Sequence, residues 1–133
     1  CVYYGDEVGM EGFEDPFNRK CYPWGGGDKE LLKWYKKLGR VRTNERGVFA
    51  GGRYKCLDCG NGVMFYARKT EKEIVYIVVN NSGSEYAPEL PKGDYTDLMT
   101  YKPFGGVVAD KDVAIFKLTK ATVFPVKPQK KSK

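Results

Sequence analysis

Histidine is absent from this sequence of 133 residues, and cysteine, methionine and tryptophan occur only four, three and two times. Structural zinc sites usually join a cysteine pair to a second pair or to two histidines, so the missing histidine removes a common partner for Cys56 and Cys59. The sequence also has no long apolar run and no signal-like segment. We therefore expect no cofactor and no metal, and no membrane span is indicated.

Acidic residues are fewer than basic ones, 17 against 23, which gives a formal net charge of +6. Much of this excess lies in residues 127–133, a lysine-rich tail that we expect to be disordered. A basic balance is compatible with nucleic-acid binding, but charged tails of this kind bind nucleic acid without specificity. We therefore interpret the charge as a solvated surface and expect no nucleic-acid partner.

The four cysteines leave three interpretations open. Cys56 and Cys59 form a C-x-x-C sequence followed by Gly60, as in a zinc knuckle, whereas Cys1 and Cys21 stand alone. A redox pair is a second interpretation, although no helix follows to lower a thiol pKa. We favour the third, reduced thiols beside a hairpin turn. Thiols that look unpaired slightly favour the cytoplasm, but the sequence does not fix the compartment.

One helix is predicted near the start of the chain. Asp28 is a suitable N-cap, and Leu31, Leu32, Tyr35 and Leu38 recur at helical spacing. The helix ends either at Gly39, as a C-cap, or after a continuation to Asn44.

From about Arg46 the hydrophobic period changes from 3.6 to 2, which indicates strands separated by turns. The run Ile74–Val79 is the most hydrophobic and is predicted to be the central strand, and Asn61-Gly62 predicts a tight hairpin turn. The strands that we predict are Cys1–Tyr4, Val48–Cys56, Val63–Lys69, Ile74–Val79, Glu85–Leu90 at an edge, Tyr95–Lys102, a brief pairing at Val107–Ala109, Val113–Leu118 and Ala121–Val126. Turn signals at intervals of about ten residues favour a mainly β fold, an antiparallel β-sandwich.

The first strand then opens into a long loop that begins with Gly5, Asp6 and Glu7. A buried strand needs neighbours, and none precedes Cys1 in this sequence. We therefore expect the chain to be a piece of a larger protein, cut inside a sheet. Asp6 and Glu7 are adjacent and would point to opposite sides of an extended strand, so they are a poor catalytic pair.

Two segments within the first 24 residues resemble the α-amylase family of glycoside hydrolases. Tyr3-Tyr4-Gly5-Asp6-Glu7-Val8-Gly9-Met10 is similar to the last barrel strand and its loop. The segment from Glu14 to Trp24, which contains Asp15-Pro16-Phe17-Asn18-Arg19, is similar to the same place in the neopullulanase, cyclomaltodextrinase and maltogenic amylase branch. The Gly-x-Pro that normally precedes this strand would fall before Cys1. The later strands resemble, in their order, the β-domain that follows the barrel.

The resemblance implies three regions. Residues 1–44 would be the last strand, loop and helix of a (β/α)8 barrel, residues 45–126 the C-terminal β-sandwich, and residues 127–133 the tail. It implies a retaining hydrolase of α-glucosidic bonds in maltodextrins, cyclodextrins or pullulan. The three catalytic acids of the family lie on earlier strands, so no catalytic residue is expected in this chain, which alone should be inactive.

The resemblance also implies roles for five residues. Gly5 and Glu7 would support the end of the barrel. Asp15 and Arg19 would contact glucose hydroxyls in the intact protein, because a carboxylate acceptor and a guanidinium fork suit a vicinal diol. Trp24 would stack on a sugar face, with the alternative that Pro23-Trp24 pins the loop to the protein.

Two other functions remain open from the sequence: a free-standing carbohydrate-binding β-sandwich module, marked by a row of exposed aromatic side chains, and a small zinc or nucleic-acid module built on Cys56 and Cys59. The expected partners are the missing part of the barrel, an α-glucan in the intact protein, and a second copy of the chain at the exposed helix face. We expect the helix to pack on the β-domain or on such a copy.

Overall fold

A computed structural model of the chain describes residues 1–119, and the predicted strand at 121–126 and the tail lie outside them. A single turn of 3₁₀ helix, Asp6–Val8, precedes two helices and five strands. Their bounds are α1 Lys29–Asn44, α2 Arg46–Gly51, β1 Arg53–Gly60, β2 Val63–Lys69, β3 Ile74–Asn80, β4 Tyr95–Asp97 and β5 Asp112–Leu118. Neither helix is long and apolar enough to cross a membrane.

Helix α1 begins where the sequence predicts. The Asp28 side chain accepts hydrogen bonds from the backbone N–H groups of Glu30 and Leu31, both at 2.9 Å, which satisfies two donors that the helix itself cannot pair. The helix runs through Gly39 to Asn44, so the longer of the two predicted ends is confirmed. The C-terminal half of α1 places Val41 against the sheet, with Trp34 and Leu38 packed around the same cluster. The prediction that the helix packs on the β-domain is confirmed.

The strands form one antiparallel sheet in the order β1-β2-β3-β5-β4. The predicted central strand is confirmed, because β3 pairs with β2 on one side and β5 on the other. The predicted hairpin turn is confirmed too: Asn61 and Gly62 both have positive φ, 49° and 81°, which matches the right-handed twist of the strands they join.

The two faces of the sheet bury different clusters. On one face Phe65, Tyr76 and Phe116 pack with residues of the connection after β3, including Val108 and the partly buried Phe104. The Phe104 and Phe116 rings stack with centroids 4.0 Å apart. This connection and the helices thus supply the layers that cover the sheet within residues 1–119. The predicted mainly β, antiparallel fold is confirmed.

The opposite face buries Val75, Ile77 and Ile115 against Val41 of α1 and Val48 of α2. An ion pair reinforces this contact, since Lys117 Nζ of β5 lies 2.6 Å from Glu45 Oε1 at the junction of the two helices. Helix and sheet are therefore joined by both apolar packing and charge.

Four predicted strands differ in the structure. Residues 1–4 are not a strand, because no neighbouring backbone among the described residues offers a ladder. Residues 46–51 form α2, so that the predicted strand from Val48 begins only at Arg53. Residues 85–90 contribute one bridge, Tyr86 to Val108, which confirms the brief pairing at 107–109 but not an edge strand. The strand from Tyr95 ends at Asp97. The Asp97 carboxylate accepts hydrogen bonds from the Met99 N–H and the Thr100 hydroxyl, and these bonds turn the chain.

Candidate functional site

The first part of the loop is closed by its own side chains. Gly5 has φ of 95°, and a Cβ there would lie 2.8 Å from Cβ of Met10, so the turn requires glycine. Glu7 Oε2 accepts the Gly5 N–H at 3.0 Å, and Asp6 Oδ2 accepts the Tyr3 N–H at 2.8 Å. The structure thus brings Gly5 and Glu7 together in a local turn. The role in supporting a barrel end stays a prediction.

The loop is attached to the start of helix α1. Val8 is buried, and its carbonyl oxygen accepts the Asp28 N–H at 2.8 Å. Gly27, with φ of 80°, lies so close that a Cβ there would overlap Val8. Because Asp28 is also the N-cap of α1, one residue sets both the start of the helix and the position of the loop.

Asp15 and Arg19 come together at the exposed part of the loop. Arg19 Nε lies 2.7 Å from Asp15 Oδ1, and the two side chains are 70% and 58% exposed. Backbone hydrogen bonds from Phe17 N–H to Glu14 and from Arg19 N–H to Pro16 hold the turn between them. The pair uses one nitrogen and one oxygen, so the other guanidinium nitrogens and the second carboxylate oxygen keep their hydrogen-bonding capacity. The geometry suits recognition of two neighbouring hydroxyls.

Trp24 extends into solvent and is 89% exposed. Its ring contacts Tyr22, with centroids 4.8 Å apart and planes at 59°. Burial, and secondly the neighbouring Glu7 carboxylate, raise the pKa of Tyr22 above its ordinary value. Within residues 1–119 the Trp24 side chain is not covered, and both its stacking on a sugar and the alternative that Pro23-Trp24 pins the loop stay predictions.

The loop also contains features that the sequence analysis missed. The Tyr4 hydroxyl donates to the Lys20 carbonyl oxygen at 2.9 Å and so ties the residue that follows the Asp15–Arg19 segment to the residues that precede the loop. Phe13 and Phe17 are exposed, and Lys20 Nζ lies 5.7 Å from the Phe13 ring centroid. The sequence did carry a signal for these features, because the glycine-containing loop is unusually rich in aromatic residues. A groove of about 1060 Å³ lies elsewhere, beside Gly51, Arg53 and residues 69–73.

The cysteines correct a prediction. Cys56 and Cys59 are joined by a disulfide bond and are not reduced thiols, whereas Cys1 and Cys21 are free and exposed. The sequence interpretation failed because residues i and i+3 of a regular strand point to opposite faces, and a bulge at this point of β1 changes that alternation. The argument from unpaired cysteines to the cytoplasm therefore does not hold for this pair.

Comparison with known proteins identifies relatives that are much longer than this chain. No family model matches. The chain is 36% identical over 94 residues to a cyclomaltodextrinase of Geobacillus thermopakistaniensis, which covers 68% of the chain and 16% of that protein. It is 36% identical over 92 residues to an amylopullulanase of Thermoanaerobacter thermohydrosulfuricus, which covers 62% of the chain and 6% of that protein.

Solved structures of related enzymes match this chain in the same way, over most of its length and a small part of theirs. An Anoxybacillus α-amylase superposes with a TM-score of 0.73 and 27% identity, over 88% of this chain and 28% of that one. A maltogenic amylase from S. marinus gives a TM-score of 0.72 and 28% identity, over 87% of this chain and 16% of that one. In sequence and in fold, the chain matches the C-terminal region of α-amylase-family glycoside hydrolases of the cyclomaltodextrinase and maltogenic amylase type, as the sequence resemblance predicts.

Proposed function

We propose that this chain is the C-terminal portion of a retaining glycoside hydrolase that acts on α-glucosidic bonds of maltodextrins, cyclodextrins or pullulan. The observation that carries the proposal is that more than 60% of the chain aligns with a cyclomaltodextrinase and an amylopullulanase while spanning only 16% and 6% of their lengths. The longer protein would supply the earlier barrel strands.

Within that protein, the Asp15–Arg19 pair would bind substrate hydroxyls. The 2.7 Å contact orients the guanidinium beside the carboxylate, so a donor and an acceptor are presented side by side to a vicinal diol. Trp24 and Tyr22 on the same loop would offer an aromatic surface to the apolar face of a glucose ring. Loops at the carboxyl ends of barrel strands are where such folds place their sites.

The chain alone is proposed to be inactive. Retaining hydrolysis needs two carboxyl groups facing one glycosidic bond. The two carboxylates nearest the loop entrance, Asp6 and Glu7, instead accept hydrogen bonds from the backbone of the turn that contains them. Their role is to shape the loop, and bond cleavage would depend on the earlier strands.

The partner of the exposed residues 2–4 would be the rest of the barrel. Val2, Tyr3 and Tyr4 present apolar surface to solvent, and single domains rarely expose such groups together without a partner. The competing possibility is that a second copy of the chain covers residues 2–4. Sedimentation of the chain alone, which we expect to be monomeric at micromolar concentration, separates the two.

A graft tests the substrate role of Asp15 and Arg19. The matching C-terminal segment of the Geobacillus cyclomaltodextrinase would be replaced by residues 1–119, and cyclodextrin hydrolysis measured with and without Asp15→Ala and Arg19→Ala. We expect the double variant to lower kcat/KM at least about tenfold, since each charged hydrogen bond contributes roughly 1.5–3 kcal/mol. The control is Glu30→Ala with Lys33→Ala, an exposed pair on helix α1. Equal kinetics in both double variants would remove Asp15 and Arg19 from the site.

The alternative is a free-standing carbohydrate-binding module. One observation favours it: Tyr54 and Tyr66 lie side by side on adjacent strands, with ring centroids 5.2 Å apart, and Tyr54 is exposed. Calorimetric titration of the chain with maltoheptaose decides. Binding that Tyr54→Ala abolishes and Trp24→Ala does not would support the module, and no binding by the isolated chain would leave the hydrolase proposal.

A further inference from the structure

The Cys56–Cys59 disulfide lies on the edge strand of the sheet. Among residues 1–119, strand β1 pairs only with β2, and all eight of its residues are exposed. Both sulfurs therefore belong to residues that dissolved reagents can reach. The bond closes a loop of the chain so short that it cannot serve mainly to restrict the unfolded state, because that effect grows with loop length.

A β-bulge makes the bond possible. Cys56 pairs with Tyr66 and Asp58 pairs with Phe65, so Leu57 is the extra residue on β1. Beyond the bulge, Cys59 pairs with Met64, which is on the same face of β2 as Tyr66. The two cysteines consequently share a face, with Cα atoms 6.7 Å apart, within the range that disulfides span.

The same bulge sends Asp58 to the opposite face, where it holds the connection between β3 and β4. The Tyr86 hydroxyl donates to Asp58 Oδ2 at 2.8 Å. The backbone of Tyr86 pairs with Val108 through two hydrogen bonds of 2.9 and 2.8 Å, and its ring contacts Phe65. Asp58 therefore connects the bulge that carries the disulfide to Tyr86, which belongs to the layer covering the Phe65 cluster.

We propose that Cys56–Cys59 is a thiol–disulfide exchange site for a dithiol reductant, and that its redox state controls how firmly the segment around Tyr86 and Val108 is held on the sheet. A thiolate of the reductant attacks one cysteine sulfur, the protein S–S bond breaks, and a mixed disulfide forms. The second thiolate of the reductant then displaces that cysteine. The protein gains two electrons and two protons as two thiols, and the reductant leaves as its own disulfide.

The experiment uses the full chain with Cys1→Ser and Cys21→Ser, so that only one cysteine pair remains. The protein purified in air is treated with dithiothreitol without denaturant, and its free thiols are alkylated and counted by mass. We expect no alkylation before treatment and two alkyl groups after it. Alkylation before treatment, or a stoichiometric zinc ion on the pair, would overturn the proposal.

Hydrogen exchange of both forms tests the structural consequence. The amides of Tyr86 and Val108 should exchange at least about tenfold faster in the reduced form, because opening of this segment becomes easier. Cys56→Ser with Cys59→Ser should match the reduced protein, and Tyr86→Phe should make the exchange rates of these amides independent of redox state. Identical rates in oxidised and reduced protein would contradict the coupling to Tyr86.

Discussion

At the scale of single residues, two side-chain contacts join elements that are far apart in the sequence. Glu45 and Lys117 connect the helices to β5, and their side chains are only 12% and 29% exposed. Asp58 and Tyr86 connect the edge strand to the connection over the core. The Glu45–Lys117 pair is partly desolvated, so losing one partner there costs more than the contact itself contributes, whereas the Asp58–Tyr86 hydrogen bond lies at an exposed position.

Lys117→Met tests the first contact. The Glu45 carboxylate would stay partly buried without its cation, so we expect the free energy of unfolding to fall by about 2 kcal/mol. Lys33→Met is the matched control, because its partner Glu30 is on the surface, and it should change stability by less than about 0.5 kcal/mol. Urea denaturation measures both, and equal effects would show that Glu45 and Lys117 are not coupled.

The raised pKa of Tyr86 predicts that the folded protein loses stability at high pH. Burial, then the hydrogen bond and charge of Asp58, raise the pKa of Tyr86 from 10.0 to about 12. The folded state therefore holds this proton more tightly than the unfolded chain. The contribution is complete below pH 10 and is lost as the pH rises to 12.

Ultraviolet titration of the phenols checks this prediction. Tyr86→Phe should remove one phenol that ionises near pH 12, and Asp58→Asn should move its pKa part of the way back towards 10. If neither substitution changes the alkaline end of the titration, the contact does not persist in solution.

Local signals predicted most residue-scale features, and long-range ones were missed. Asp28 was identifiable as an N-cap because its partners are two and three residues away. Asp15 and Arg19 are four residues apart, so the sequence could suggest their meeting. Lys117 and Glu45 are separated by 72 residues, and no pattern in the sequence indicates which lysine reaches which glutamate.

At the scale of elements, the hairpin β1-β2 depends on its turn. Gly62 has φ of 81°, and a Cβ there would overlap the Asn81 carbonyl oxygen. Its own carbonyl oxygen accepts the Asn81 N–H at 2.8 Å. The turn is therefore packed against the end of β3, and its backbone conformation and its contact both require glycine.

Gly62→Ala and Gly83→Ala separate these two requirements. Both positions have φ above 80°, but nothing lies within 4 Å of a Cβ at Gly83. We expect Gly83→Ala to cost about 1 kcal/mol through backbone strain alone, and Gly62→Ala to cost at least about 2 kcal/mol. Thermal unfolding of both variants is the measurement, and equal losses would show that the turn is not packed on β3.

The elements predicted wrongly are those where tertiary context overrides composition. Residues 48–50 have strand-like side chains, yet Val48 is fully buried in the cluster that helix α1 makes with the sheet, and the short helix α2 places it there. Residues 1–4 have the composition of a strand but lack a partner backbone within residues 1–119. Long, regular elements such as β3 and α1 were predictable because their periodic pattern and their burial agree.

At the scale of the whole molecule, helix α1 and the sheet share one apolar cluster, and the loop before α1 presents Asp15, Arg19 and Trp24 to solvent. A binding site on such an exposed loop needs further residues from the part of the protein that lies opposite the loop. In the relatives, the matching region is less than a fifth of the protein. Under the proposed function, this chain would position a substrate-binding loop and bond cleavage would depend on the rest of the barrel.

The most direct measurement of that claim is hydrolysis by the chain alone. Maltodextrin, cyclodextrin and pullulan would each be incubated with purified chain, and new reducing ends would be counted against the Asp15→Ala, Arg19→Ala variant and a buffer blank. We predict no release above the blank with any of the three substrates. Turnover that rises in proportion to the amount of chain, and that the double variant abolishes, would contradict it.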